Sequence, residues 1–288
     1  MNQKLVQGKF GHGGRIHSKL HHKIKRWLRP TLGKASIPFK WKKGLVGQIE
    51  YPIKNQFQSM SCWGQAFSRF VQIQRGKLGI EKPSPELSAK SAYSPIYAFG
   101  GGVELSAGEN EAKNIGLTLE MNVPSTINGS CNEQFMEDTS WRTLPLTQDC
   151  LTRANLQVVN VPINLDSIAE AIRDYGAVIF LFQGQDNGLW TTSEPVPPTH
   201  TSHNPLWGHY VCSSNNIPPT TDKKLIKYYN SWGNIGDNGF QYFDENYINS
   251  GYILDCFTFI VAAPTPTNWW ANFLNLIKWL RNNQPKVV

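Results

Sequence analysis

The segment Gln56-Phe57-Gln58-Ser59-Met60-Ser61-Cys62-Trp63 decides how this chain is read. Small polar residues lead into the run Ser61–Arg75, in which Trp63, Phe67, Phe70, Val71 and Gln74 recur at helical spacing. Cys62 therefore stands where a loop becomes a helix. The exposed N–H groups and partial positive charge of a helix N-terminus stabilise a thiolate, the nucleophilic form of cysteine. A cysteine alone in such a place is more often a small buried hydrophobe, so the chemistry needs partners.

A thiolate nucleophile needs an imidazole that forms an ion pair with it and later protonates the leaving group. Of the seven histidines, four lie in the first 22 residues, and His200 and His203 lie in a loop rich in Pro and Thr. Only His209 heads a strand-like run, Gly208-His209-Tyr210-Val211-Cys212. Further on come Tyr229-Asn230-Ser231-Trp232-Gly233 and Gly236-Asp237-Asn238-Gly239-Phe240. An asparagine there can hold an imidazole in one tautomer, and the neighbouring Trp can shield that bond from water. His200, His203 and His209 do not have the spacing of a zinc motif, so no metal and no other cofactor is expected.

Taken in order, these elements resemble the papain family of cysteine peptidases. Gln56 lies six residues before Cys62, Ser61-Cys62-Trp63 matches the family's nucleophile element, and His209 follows 147 residues after the cysteine. Asn230-Ser231-Trp232-Gly233 matches a further element, and Gly101-Gly102 fits the glycine wall of the substrate cleft. The match runs from about residue 45 to 262. It implies an α+β fold, with a mainly helical left lobe, a β-rich right lobe and the active site in the cleft between them.

The resemblance also implies roles. Cys62 attacks the scissile carbonyl. His209 is the imidazolium partner, and Asn230 orients its ring. The Gln56 amide and the Cys62 backbone N–H form the oxyanion hole. Trp232 covers the His–Asn bond, and Gly101 and Gly102 pair with an extended protein or peptide substrate. The residue after the family's catalytic His lines a substrate pocket. Tyr210 stands there, with Trp207 two residues before His209, so two large aromatics are expected to narrow that pocket and favour a small side chain.

The departures from the family are equally specific. Ser59 stands where the family usually has Cys, Met60 where it has Gly, and residues 88–99 contain no Cys. The usual disulfides cannot all form, although pairings of Cys131 with Cys150 or Cys212 with Cys256 stay open. Residues 1–44 are too few, and have the wrong composition, to be expected to form the family's long helical pro-segment.

Charge divides the chain. Residues 1–43 hold twelve of the 28 Lys and Arg and no acid, and the stretch after Asp255 holds Lys278, Arg281 and Lys286 with no acid. The middle has thirteen basic residues against all 21 acidic ones, a net of −8. We therefore expect a basic N-terminal arm over 1–44, a peptidase-like domain over 45–263, and a linker with a C-terminal amphipathic helix over 264–288. The arm shows helical spacing over 15–29. The basic ends suit an anionic partner, either a membrane or nucleic acid, or docking on the acidic body itself.

Composition excludes several classes. With 40 % hydrophobic and 17 % charged residues the chain is not disordered. No apolar run reaches transmembrane length, and the basic N-terminus lacks the uninterrupted apolar core of a secretory signal. An intracellular or virion-associated setting is expected. Two further readings stay open: a papain-like fold that has lost activity and serves a viral or bacterial assembly, and a cell-wall amidase using Cys and His. The oligomeric state is not legible in the sequence. A coarse reading places helices at 61–75, 109–115 and 168–175. It places strands at 177–182, 210–212, 225–229, 240–243 and 257–261, and a long loop over 183–208.

Overall fold

The computed structural model describes residues 29–33, 39–45, 49–81, 84–185, 189–193, 195–196, 198, 206–219 and 223–261. The helix expected over 15–29, apart from Arg29, lies outside the described residues. So do the linker at Pro264 and Pro266, the C-terminal helix, and His200 and His203.

Helix α1, Cys62–Lys77, forms where the apolar spacing places it. Short helices α2 (Ala89–Tyr93), α3 (Leu105–Asn110), α4 (Glu133–Glu137) and α5 (Leu144–Leu151) surround it. Helix α3 runs into a π-helical turn, Glu111–Ile115, which stops at Gly116 with φ 73°. The helix expected from residue 109 therefore starts earlier and changes its winding halfway. Helix α6, Leu165–Tyr175, is capped by the Asn164 side chain on Ser167 N and ends at Gly176. Helix α7 covers Glu245–Asn249.

Six antiparallel strands form one sheet in the order β1-β6-β2-β3-β4-β5. They are β1 Leu156–Asn160, β2 Ile179–Gln185, β3 Leu206–Ser213, β4 Ile226–Tyr229, β5 Phe240–Phe243 and β6 Ile253–Val261. Here the long loop expected over 183–208 is corrected. Gln183, Gly184 and Gln185 extend β2 against Gly208, Trp207 and Leu206 of β3. Polar glutamines disguise this stretch as a loop, yet both are buried, and their backbone groups are used in the ladder.

Residue alternation along the strands makes two cores. Ile179, Leu181, Tyr210, Cys212, Phe257 and Phe259 face α1, where they meet Trp63, Phe67 and Phe70. Phe180, Phe182, Trp207, Val211, Tyr228 and Phe243 face the other way, toward Ile168 and Ile172 of α6. Phe39 and Trp41 also pack into this second core, and Trp41 Nε1 donates to Asp166 (2.5 Å), so the packed body begins before residue 45. No disulfide joins any of the five cysteines. Cys212 and Cys256 belong to opposite cores, which rules out their pairing. No helix among the described residues is long and apolar enough to cross a membrane.

Candidate active site

Cys62 is the first residue of α1, whose first turn holds no acid and whose last turn carries Arg75 and Lys77. Nothing in the sequence of that turn opposes a negative sulfur, and the dipole of a long helix favours one. The loop before it is tied down by small polar contacts. Ser59 Oγ donates to Gln56 O (2.7 Å) and lies 2.7 Å from Ser61 Oγ, which accepts from Gln65 Nε2 (3.2 Å). Phe57 takes a φ of 49°, a left-handed conformation that costs a bulky side chain energy. The Asn55 side chain accepting from Phe57 N (2.8 Å) helps to hold it there.

The sheet brings the other residues to Cys62. The backbone N–H of Tyr210, the residue after His209, donates to Cys62 Sγ at 3.4 Å. His209 Nε2 lies 3.2 Å from Asn230 Oδ1. An amide oxygen only accepts, so Nε2 carries a hydrogen in this contact. The Asn230 orientation is itself fixed, because its Nδ2 donates to Gln241 Oε1 (2.6 Å) and Gln241 Nε2 donates to Trp190 O. Trp232 stacks on the His209 ring, with centroids 4.8 Å apart and an interplanar angle of 26°. Phe182 and Trp207 meet the same imidazole edge-on at 5.7 and 6.3 Å.

Gln56 is held from the Asn230 side. Ser231 Oγ donates to Gln56 Oε1 (2.5 Å), Gln56 N donates to Ser231 O (2.8 Å), and Gln56 Nε2 donates to Ser59 O (3.0 Å). The structure thus joins Cys62, His209, Asn230, Gln56 and Trp232 through direct or shared contacts.

The expected substrate wall is built differently. Trp207 and Tyr210 point to opposite faces of β3, since positions three apart in a strand do so, and they do not make one wall. Trp207 belongs to the aromatic cluster behind His209, whereas the Tyr210 ring packs on Trp63 at 5.1 Å. Gly101 and Gly102 have φ of 86° and 76°, and a side chain built at Gly101 would collide with Met60 Sδ. Gly102 N donates to Tyr93 Oη (2.8 Å), and its carbonyl accepts from Ala98 N (2.9 Å). Glu133 ties this wall to the nucleophile loop: it accepts from Met60 N (2.5 Å) and from Tyr93 Oη.

Ser231, Gln241 and Glu133 went unassigned in the sequence. Ser231 at least sat inside the Asn-Ser-Trp-Gly element, but nothing marks Gln241 or Glu133 in one dimension. Burial pushes the thiols of Cys131 and Cys150 up to about 11 and about 12, so both stay protonated near neutrality. Cys62 and His209 are each fully buried, at 0 % exposure. A cavity of about 370 Å³ opens beside Phe57, Gln58, Cys131 and Phe135, and neither Cys62 nor His209 lines it.

The helix-borne cysteine, the strand-borne histidine and the six-stranded sheet define a papain-like α+β fold. Solved structures agree. Xylellain, a cysteine protease from Xylella fastidiosa, superposes with a TM-score of 0.64 over 90 % of this chain and 98 % of its own, at 16 % identity. Procathepsin B S9 from Trypanosoma congolense gives 0.61 over 89 % of this chain and 88 % of its own, at 12 % identity. Bromelain from Ananas comosus, solved with the E64 inhibitor, gives 0.52 over 78 % and 98 %, at 20 % identity. No family model and no curated protein matches the sequence.

Proposed function

We propose that the chain is a cysteine peptidase that hydrolyses peptide bonds of protein substrates. The observation that supports this most is the chain of contacts from Cys62 Sγ through Tyr210 N to His209 and on to Asn230 Oδ1 under the Trp232 ring. With Nε2–H committed to Asn230, Nδ1 is the atom that exchanges a proton with the thiol. The thiolate then attacks the carbonyl, and the oxyanion takes hydrogen bonds from the Gln56 amide and the Cys62 backbone N–H. Protonated Nδ1 delivers its hydrogen to the leaving amine. The acyl-enzyme is next hydrolysed by water, which His209 deprotonates in turn.

A second reading, a papain-like binding protein without turnover, draws on the complete burial of Cys62 and His209. Treatment with an epoxide inhibitor of papain-like enzymes separates the two. A working nucleophile gives a covalent adduct on Cys62 that is absent from His209→Ala, seen by mass spectrometry. An unlabelled Cys62 in folded protein supports the binding protein.

A further inference from the structure

The nucleophile loop, 56–61, and the wall at Gly101 and Gly102 come from different parts of the chain, and no disulfide joins them. One side chain from a third segment does. Glu133, the first residue of α4, accepts from Met60 N through Oε2 (2.5 Å) and from Tyr93 Oη through Oε1. Tyr93 Oη in turn accepts from Gly102 N (2.8 Å). A Cβ at Gly101 would stand 2.5 Å from Met60 Sδ and 3.0 Å from Glu133 Oε1, so loop and wall approach most closely where this carboxyl group sits.

The segment that carries Glu133 is itself fastened to the loop. Cys131 Sγ donates to Gln56 O (3.3 Å) and lies 3.8 Å from Ser59 Oγ. Residues 131–133 therefore run beside the loop from Gln56 to Met60. Between them, the Asn132 side chain accepts from Phe135 N (2.8 Å), which caps α4 and fixes the backbone from which Glu133 projects.

The chemistry of the contacts demands a carboxyl group. Met60 N–H can only donate. The Tyr93 oxygen already accepts from Gly102, which leaves its hydrogen to give. Two donors thus converge on one side chain, and only a side chain with two acceptor oxygens serves both. A glutamine of the same size has one. Filling space would not require that distinction. The two ends of this chain of contacts also matter to the reaction. Met60 stands two residues before Cys62, and Gly102 belongs to the wall, so their separation sets where a carbonyl lies relative to the sulfur. A misplacement of about 1 Å can cost a hundredfold in rate.

We propose that Glu133 is a positioning residue that sets the width of the substrate gap, holding the loop that leads to Cys62 and the Gly101–Gly102 wall at a fixed separation. This rests on the peptidase reading, in which the substrate lies against that wall. Glu133 touches no reacting atom. It acts through Met60 on one side and through Tyr93 on the other, and the two legs work as one unit.

The test uses the full chain. Glu133→Gln should lower kcat/KM for peptide hydrolysis by about tenfold. Glu133→Asp keeps both acceptors and should retain more activity than Glu133→Gln. Tyr93→Phe removes only the leg to Gly102 and should lose about as much as Glu133→Gln. Since both substitutions cut one chain of contacts, Glu133→Gln/Tyr93→Phe should be about as active as the weaker single variant, whereas independent effects would multiply to about a hundredfold. A Glu133→Gln enzyme as active as wild type, or losses that multiply, overturns the proposal. If wild type itself cleaves no peptide, the peptidase reading has failed, and amide hydrogen exchange decides the clamp. Glu133→Gln should then speed exchange at Met60 and Gly102 by about tenfold or more and leave the middle of α1 unchanged. Tyr93→Phe should do the same at Gly102, and stands in if the former does not fold. Unchanged exchange at these amides, or an equal rise throughout α1, overturns the proposal.

Discussion

Cys62 and His209 sit on walls held by different forces. The Cys62 wall is a helix end, fixed by its own backbone and by short hydroxyl and amide contacts among Ser59, Ser61, Gln65 and Gln56. The His209 wall is a strand, fixed by rings: Trp232 stacked on the imidazole, Phe182 and Trp207 against its edges, and Gln241 behind Asn230. Backbone dipoles survive most side-chain changes. An aromatic cluster does not survive removal of a ring, because the void is not refilled. The comparison thus separates chemistry from stability: substitutions at the sulfur end of the helix wall should act on rate, and those on the strand wall on rate and fold together.

The largest expected effect is Cys62→Ala. Peptide hydrolysis should fall by about a thousandfold or more, while chemical denaturation shows a loss of about 1 kcal/mol or less, since one small buried group replaces another. A variant that unfolds easily would mean the helix wall depends on its side chains after all.

Trp232→Ala comes next and should behave in the opposite way. Removing a ring that is 4 % exposed and stacked on His209 should cost about 3–5 kcal/mol of stability. Activity should drop as well, through a lower kcat as the imidazole loses its cover. Unchanged melting would break the comparison.

Gln241→Leu tests the same wall without opening a large void. It strands the buried Asn230 Nδ2 and should cost about 1–3 kcal/mol. The rate should fall about tenfold through misorientation of the imidazole, with the loss smaller than in His209→Ala and close to that in Asn230→Ala. A Gln241→Leu enzyme as active as wild type would remove Gln241 from the positioning chain.

The smallest effect concerns the helix wall away from the sulfur. Trp63 Nε1 donates to Glu111 Oε2 at 2.7 Å, and burial raises the Glu111 carboxyl well above its ordinary range, the Trp63 bond opposing only part of this. A carboxyl raised in the folded state favours folding while it is protonated, and that contribution is lost as pH rises through its folded value. Glu111→Gln keeps an acceptor for Trp63 without a charge. It should match wild type near about pH 4 and be more stable by about 1 kcal/mol near about pH 8, measured by denaturation across pH. An identical pH slope in both proteins would show that Glu111 carries no buried charge cost.

How much of this was legible follows from how each residue is marked. Trp63, Phe67 and Phe70 repeat at the period of a helix, so α1 and the place of Cys62 at its start could be read directly. Glutamines 183 and 185 and Gly184 repeat at no period that marks a strand, and the length of β2 stayed hidden until β3 was found beside it. The arm was legible as charge. Its attachment was not, because Arg29 and Asp255 are 226 residues apart.

The sequence by itself determined the helix-borne thiol, the order of Cys62, His209 and Asn230, and through their resemblance the fold class. Those features are local: each depends on a few neighbouring residues and their spacing. Only the tertiary structure decided that Gln241 holds Asn230, that Ser231 holds Gln56, that Trp207 and Tyr210 face apart, and that Arg29 closes on Asp255 and Glu109. These are contacts between elements. They depend on strand order and register, and a one-residue slip would turn every side chain to the other face. That register is set by the burial of two cores at once, a property of the whole sheet rather than of any stretch of it.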